Sequence, residues 1–290
     1  MIRKIMATGV MIASVTGFAC TIDGKQGLLP ENDMWISTTA KMSNNMTEER
    51  FNAVIDKVVK VYEPIISSMG ANLKVSRKWE DGTVNAYASR SGSTWNVAMF
   101  GGLARHKAIT EDGFALVVCH EIGHHIGGAP KKSTWFGTTW ATNEGQADYF
   151  ATLKCLRKAF RNENNAAIVK AMDVPAEVVN KCAEQFSEEA DQLLCQRGSM
   201  AGLSTAKLFQ DLRSSSKEPS FSTPDTKVVS RTDHNHPAYQ CRLDTYFAGA
   251  TCEINDSIDV DNEDEAVGVC YRDSGDTEGV RPLCWFKPEN

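Results

Sequence analysis

The chain has 290 residues, of which 42% are hydrophobic and 23% are charged, and its formal net charge is -6. This composition is typical of a globular protein with enough apolar residues for a sizeable core. The mild negative charge excludes a nucleic-acid-binding protein, because that function needs a clustered basic surface. Nucleic acid is therefore not expected among the partners.

Residues 1–19 have the pattern of a secretory signal peptide. Arg3 and Lys4 precede an apolar stretch without acidic residues, which ends in Gly-Phe-Ala before Cys20. No other segment reaches the roughly 20 consecutive apolar residues that are needed to span a bilayer. We therefore expect an exported protein without a transmembrane span, located in the periplasm, attached to the outer membrane as a lipoprotein, or secreted.

The cysteine content also favours export, because disulfides persist in oxidising compartments. The chain contains Cys20, Cys119, Cys155, Cys182, Cys195, Cys241, Cys252, Cys270 and Cys284. If a lipid anchor modified Cys20, the eight remaining cysteines could all pair. The residues before Cys20 suit ordinary signal peptidase equally well, so both alternatives stay open. We expect Cys119 and Cys155 to be disulfide partners or buried thiols rather than metal ligands.

After the signal peptide, three parts are predicted: an extended N-terminal segment over 20–46, a main domain over 47–240 and a cysteine-rich tail over 241–290. The main domain opens with a helix capped by Thr47, which Pro64 should kink or end. Three β-type runs, near 72–79, 83–88 and 94–99, are separated by turn signals. They predict a small antiparallel meander.

The rest of the main domain is predicted to be mainly helical, which gives an α+β class. Apolar spacing and caps predict helices over 111–126, 143–160, 175–197 and 201–212. Residues 213–232 are rich in Ser, Thr, Pro and Lys and predict a mobile loop. The tail has weak periodicity and four cysteines, so disulfides rather than a core are expected to hold it.

A metal-binding motif lies on the predicted helix 111–126. The sequence His120-Glu121-Ile122-Gly123-His124 is HExxH. Two histidines four residues apart lie on one helix face, so both imidazoles can reach one zinc ion. Glu121 lies beside the same ion and can act as general base on a water whose pKa zinc has lowered. His125 points away on the helix and is expected to pack rather than to bind metal.

A second motif supplies the third ligand that a catalytic zinc needs. Glu144 follows His124 by twenty residues, which is enough for a helix end, a reversing loop and the first turn of another helix. Asp148 lies one helical turn further on, where it can accept the remaining imidazole N–H of a ligand histidine. The sequence therefore predicts one Zn²⁺ per chain, held by His120, His124 and Glu144.

Together with three further segments, these motifs resemble a known family. The segments are Val84 to Ala88, Met99 to Leu103, and His236-Pro237 followed by Arg242. The ordered set of these segments and the two zinc motifs resembles the gluzincin peptidase family of HtpX and the CAAX prenyl proteases. It is more distantly similar to thermolysin. The resemblance covers roughly residues 47 to 245 and implies a zincin-type metallopeptidase domain with a small antiparallel sheet.

The resemblance implies further site residues. The strand from Trp95 to Met99 would form the upper edge of the cleft and bind an extended substrate by strand addition. His236 and Arg242 would donate to the oxyanion of the tetrahedral intermediate. His234 is a weaker candidate for the same role. The better-known members have transmembrane helices, which this chain lacks.

The sequence therefore predicts an endopeptidase that hydrolyses peptide bonds of extended or misfolded proteins in the cell envelope. Zinc would polarise the scissile carbonyl, and Glu121 would deprotonate the water and pass its proton to the leaving amine. The alternative is a non-catalytic zinc-stabilised peptide-binding module or chaperone. A structural zinc protein is a third reading, although closed structural sites usually take four Cys or His ligands.

Overall fold

A computed structural model describes residues 21–22, 25–40, 44–135 and 137–288. The predicted signal peptide and Cys20 lie outside the described residues. The described chain is mainly helical with two small sheets, which confirms the predicted α+β class. No helix in the described ranges has the length and apolar character needed to cross a membrane.

The helices alternate with short strands in the first half of the chain and dominate the second half. The helices are α1 (Glu48–Ser68), α2 (Gly101–Ala104), α3 (Glu111–Ile126), α4 (Glu144–Phe150), α5 (Leu156–Phe160), α6 (Asn165–Lys170), α7 (Ala176–Gln185), α8 (Glu189–Leu212) and α9 (Tyr239–Thr251). A π-helical segment, Ala151–Cys155, joins α4 to α5 without a break. The helix predicted over 143–160 is therefore present, with a π-helical turn inside it.

The strands form one sheet of five and one hairpin. They are β1 (Thr21–Ile22), β2 (Lys25–Gly27), β3 (Asn72–Lys78), β4 (Ala86–Ser91), β5 (Thr94–Phe100), β6 (Lys131–Thr134) and β7 (Gly137–Thr142). The larger sheet has the order β1-β2-β4-β5-β3, and β6 pairs with β7. All pairings are antiparallel except that of β3 with β5, which is parallel.

The predicted meander is wrong in its connectivity. The turn at Gly92, with φ of 57°, joins β4 and β5 as a tight hairpin. The longer connection from β3 to β4 instead crosses the end of β5, where Gly102 N–H donates to Asp81 O at 2.9 Å. The strands β3 and β4 therefore flank β5 on opposite sides.

This order also changes the predicted upper edge of the cleft. Trp95 to Met99 lies in β5, which is an interior strand with neighbours on both sides. The neighbouring strand β4 packs with β5 against α3, and it would be the edge strand on that side without β2. Within the described residues, the outer side of β4 is paired with β2, so part of the extended N-terminal segment belongs to the sheet.

Helix α1 does not end at Pro64. Thr47 caps it as predicted, and its Oγ1 accepts from Arg50 N–H at 3.2 Å. The helix continues to Ser68 because Tyr62 and Ile66, on either side of Pro64, are buried in the main core. Tertiary packing therefore offsets the cost of a proline in the helix interior, about 3 kcal/mol.

Helices α7 and α8 divide the chain differently from the prediction. The break lies between Gln185 and Glu189, and α8 then runs without interruption through Gly198 and Gly202. These glycines permit close packing with α9 rather than ending the helix. A Cβ atom on Gly202 would lie 2.5 Å from the Cβ of Tyr246.

The tail has a small core of its own, contrary to the prediction. Tyr271, Trp285 and Phe286 are buried together with Tyr149 of α4. Two disulfides, Cys241–Cys284 and Cys252–Cys270, add covalent links. The segment 213–232 has no regular structure and is tied to α9 and the tail, and its mobility stays a prediction.

Two further disulfides join Cys119 to Cys155 and Cys182 to Cys195. All eight cysteines of the described chain are therefore paired. The predicted disulfide role of Cys119 and Cys155 is confirmed. This bridge connects α3, which carries the HExxH motif, to the π-helical segment that directly follows α4, which carries Glu144 and Asp148.

The Cys119–Cys155 bridge should stabilise both the fold and the metal site. Replacing both cysteines by Ala should lower the free energy of unfolding by about 4 kcal/mol, the loop-entropy value for a bridge spanning 36 residues. The matched control, Cys182→Ala with Cys195→Ala, opens a span of 13 residues and should cost about 3 kcal/mol. Urea unfolding with chelator present measures both losses. Loss of the Cys119–Cys155 bridge should also weaken zinc retention, and loss of the Cys182–Cys195 bridge should not. Equal zinc retention by the two double variants would contradict a role of the Cys119–Cys155 bridge in the metal site.

Candidate metal centre and family

Helix α3 presents the HExxH motif to the interior of the protein. Thr110 caps the helix, and it ends at Gly127, followed by Gly128 with φ of 80°. His120, Glu121 and His124 are each fully buried. A helix with polar groups buried to this extent needs partners for them within the protein or from a bound ion.

Glu144 enters the same space from the first turn of α4. Asn143 caps α4 by accepting from Gln146 N–H at 2.9 Å, which fixes the start of the helix next to α3. Glu144 Oε2 lies 3.3 Å from His120 Nε2, and Oε1 lies 3.7 Å from His124 Nε2. One ligand atom from each of the three residues lies within 4.8 Å of the other two. The predicted ligands are therefore brought together.

The chemistry of these atoms fits a divalent cation. Within the described part of the chain, His120 Nε2, His124 Nε2 and both oxygens of Glu144 are buried without a hydrogen-bond partner. Such groups cost free energy unless an ion or ligand satisfies them. Two imidazoles and one carboxylate are a donor set that zinc takes in catalytic sites.

The other nitrogen of each histidine is held by the protein. His124 Nδ1 donates to the carbonyl oxygen of Thr142 at 2.9 Å, and His120 Nδ1 lies 2.7 Å from Asp148 Oδ1. Such partners fix the imidazole orientation and tautomer and direct Nε2 toward the ion. The expected partnership of Asp148 with a ligand histidine is therefore present in the geometry, and the histidine is His120.

Asp148 is held in turn by Arg242 and Tyr246 of α9. Arg242 Nε and Nη2 donate to its two oxygens at 2.7 and 2.6 Å, and Tyr246 Oη donates at 2.8 Å. The third guanidinium nitrogen of Arg242 donates to Leu28 O at 2.9 Å. All three nitrogens of Arg242 are thus engaged, and its side chain is fully buried. Its oxyanion role stays a prediction.

His236 lies directly beside the ligand cluster. Its Nε2 is 3.5 Å from Glu144 Oε2 and donates to the carbonyl oxygen of Gly27 at 2.7 Å. His234 instead contacts Asn143, with 3.5 Å between the nitrogens. Of the two histidines considered for the oxyanion role, the structure brings His236 to the site.

Burial and charge shift the pKa values at the site in opposite directions. Burial raises the pKa of Glu121 to about 8 and lowers that of His124 to about 4. Burial opposes charge on His120 also, but Asp148 outweighs it and raises the pKa of His120 to about 9. His236, together with the motif histidines, overcomes burial and holds the pKa of Glu144 well below its usual range. In the protein alone, the histidines thus favour an ionised Glu144.

His125 packs, as expected. Its ring is stacked between Trp95 and Trp140, with centroid distances of 5.3 and 5.1 Å. Its Nδ1 accepts from Arg90 Nε at 3.3 Å, and its Nε2 donates to the carbonyl oxygen of Asn96 at 3.2 Å. This residue therefore fixes the end of α3 to β4 and β5.

Sequence reasoning missed Tyr246 and the contacts that Thr142 and Asn85 make. Tyr246 follows Arg242 by one helical turn, so its spacing carried a usable signal. Thr142 acts through its backbone carbonyl, which the residue type does not reveal. The Asn85 side chain accepts a hydrogen bond from the backbone N–H of Leu29, 56 positions earlier in the chain. Only the folded chain shows that contact.

The geometry agrees with a comparison at the family level. The sequence profile of Peptidase family M48 matches residues 47–245. The chain belongs to peptidase family M48. No curated protein and no solved structure matches the chain significantly. Membership in M48 implies a metallopeptidase, a hydrolase of peptide bonds that is typically zinc-dependent, and His120, His124 and Glu144 offer a site for the metal.

The partner of His120 should control metal affinity in this M48 protein. Asp148→Asn removes a charge from the His120 contact and should weaken zinc binding about 10- to 100-fold. A matched control exists on α3, where Asp112 is likewise paired with a buried arginine, Arg197, at 2.9 and 2.7 Å. Asp112→Asn should lower stability without changing zinc affinity. Competition with a chromophoric chelator measures the zinc affinity of each variant. Equal zinc affinities of Asp148→Asn and Asp112→Asn would contradict the assignment of Asp148.

Proposed function

We propose that the chain is an exported zinc endopeptidase that cleaves extended or misfolded proteins in the cell envelope. The observation that carries this proposal is the buried cluster of His120, His124 and Glu144 with the carboxylate of Glu121 beside it. Within the described chain, neither oxygen of Glu121 has a hydrogen-bond partner. A carboxylate in that condition is available to a water or a substrate N–H.

Each site residue then has a distinct task. His120, His124 and Glu144 would hold Zn²⁺, one ion per chain, which supplies Lewis acidity toward water and a peptide carbonyl. Glu121 takes the proton of the attacking water and returns it to the leaving amine. Burial raises the pKa of Glu121, and the charge of a Zn²⁺ ion in the site would oppose that shift and favour the basic carboxylate.

Two residues from the end of the family match support these steps. His236 presents Nε2 at the site, where it donates to a carbonyl oxygen, and we assign it to stabilise the oxyanion that develops on the substrate. Arg242 acts through Asp148, which it holds by two hydrogen bonds, and so fixes His120. Arg242 is a positioning residue in this proposal.

Export is supported by the four disulfides, since such bonds are rare in reducing compartments. The predicted signal peptide ends before Cys20, the one cysteine outside the described residues. We propose an HtpX-like member of M48 that acts in the periplasm, attached to the outer membrane through a lipid on Cys20 or released after ordinary signal cleavage. An envelope location supplies unfolded protein as substrate.

The general base provides the direct test of catalysis. Glu121→Gln keeps the size of the side chain but removes its basicity, and should lower kcat by about 10²–10⁴ with zinc content unchanged. The control is Glu111→Gln on the same helix, since the Glu111 side chain is 48% exposed and pairs with Arg50. Casein cleavage and zinc content are measured on both. Undiminished cleavage by Glu121→Gln would contradict the proposed mechanism. If the zinc-loaded native chain and Glu111→Gln also fail to cleave casein, the result favours the peptide-binding alternative.

The third ligand is tested separately. Glu144→Ala removes the only carboxylate of the proposed ligand set and should release zinc, because two imidazoles alone bind it weakly. Atomic absorption on the purified variant measures the loss. Full zinc occupancy in Glu144→Ala would refute the ligand assignment while leaving the role of Glu121 open to its own test.

A further inference from the structure

The chain's own N-terminal segment lies along the edge of β4. Residues Gln26 and Gly27 pair antiparallel with Ala88 and Tyr87, and Leu28 N–H continues the ladder to Ala86 O at 3.1 Å. A strand added to an exposed sheet edge is a common way for a protein to bind an extended peptide. Here the added strand belongs to the same chain.

A side chain of the domain clamps the end of this strand. Asn85 Oδ1 accepts from Leu29 N–H at 3.0 Å, and its Nδ2 donates to Leu29 O at 3.2 Å. Both bonds are made to backbone atoms, so they do not depend on the side chain of residue 29. The same clamp can therefore hold the backbone of any extended peptide in this position.

Two consecutive carbonyls of the segment face the site residues. Gly27 O accepts from His236 Nε2 at 2.7 Å, and Leu28 O accepts from Arg242 Nη1 at 2.9 Å. The same His236 nitrogen is 3.5 Å from Glu144 Oε2. The proposed oxyanion donor is thus already bonded to a peptide carbonyl, immediately next to a proposed metal ligand.

The residues around Gly27 and Leu28 limit the size of side chain that fits at each position. A Cβ atom on Gly27 would lie 2.9 Å from Cε1 of Tyr87, whose ring packs edge-on against Phe100. Leu28 is fully buried and belongs to the main core. The position of residue 27 therefore favours glycine, and the position of residue 28 accepts a large aliphatic side chain.

We propose that Gly27-Leu28 occupies the place of a scissile peptide bond, so that β4 is the substrate-binding edge and the N-terminal segment competes with substrate for it. The inference rests on the proposed function and adds a substrate class to it. The preferred substrates are extended peptides with glycine before the cleaved bond and a large aliphatic residue after it. Tyr87 is the residue that selects for the glycine.

Displacing the segment should raise both binding and turnover. If the N-terminal segment occupies the edge of β4 in about nine of ten molecules, it lowers the apparent affinity of the protein for a peptide about tenfold. Gly27→Val places a branched Cβ against Tyr87 and should free the edge. A chain lacking residues 21–29 is the second displaced variant, because it also removes the Leu28 side chain and the Leu29 backbone from this edge. Pro30→Val is the control, since Pro30 is exposed in the same segment.

Binding is measured separately from cleavage. A fluorescent peptide containing Gln-Gly-Leu-Leu is titrated into zinc-loaded full-length protein carrying Glu121→Gln, and anisotropy gives its affinity. Both displaced variants should bind it at least about tenfold more tightly than the undisplaced chain, and Pro30→Val should not. A probe with Trp in place of Gly should bind weakly to every variant. Equal affinity of the glycine probe for displaced and undisplaced chains would overturn the inference.

Cleavage of the same peptide by chains with Glu121 intact separates the two proposals. Faster cleavage by the displaced variants supports both. Tighter binding without cleavage by any zinc-loaded variant supports the inference and contradicts the proposed function. Equal binding and equal cleavage contradict the inference and leave the proposed function standing. Thermal unfolding and zinc content of each variant show that the displaced chains are folded.

Discussion

A chain of buried charges connects the proposed metal site to helix α9. Glu144 lies against His120, His120 against Asp148, and Asp148 against Arg242. All four side chains are at most 1% exposed. Removing one partner from such a chain leaves a buried charge without compensation, which costs about 3–5 kcal/mol. The positions of α3, α4 and α9 are therefore mutually dependent.

This dependence explains why the elements around the site are packed so closely. Gly202 lets α8 approach α9, which carries Arg242, and a Cβ on Gly249 of α9 would lie 2.6 Å from Tyr149 O of α4. The Cys119–Cys155 bridge ties α3 to the segment after α4. Sub-ångström positioning of ligand histidines needs supporting groups whose own rotamers are fixed by packing. The helical bundle supplies that support.

The local parts of the structure could be predicted from the sequence. Thr110 and Asn143 cap the helices that carry the two motifs, and helical spacing alone places His120 and His124 on one face. The spacing of twenty positions from His124 to Glu144 was enough to predict a shared site. These signals lie within one element or between neighbouring elements, where propensity and periodicity are informative.

The long-range parts could not be predicted. The parallel pairing of β3 with β5 depends on a connection that crosses the sheet, and Gly198 and Gly202 resemble a helix break when their packing partner is unknown. Arg242 lies at the position expected from the family resemblance, yet its guanidinium is engaged by Asp148 and Leu28. The contact between Leu28 and Arg242 joins residues 214 positions apart. Sequence patterns do not report pairings of this kind.

The central claim is that His120, His124 and Glu144 hold one zinc ion through nitrogen and oxygen atoms alone. X-ray absorption at the zinc edge of the purified native protein, combined with its zinc content, tests this directly. The account predicts one zinc per chain, with scattering from two imidazoles and light-atom ligands near 2.0–2.2 Å. Sulfur scattering near 2.3 Å, or a chain that retains no zinc, would contradict it.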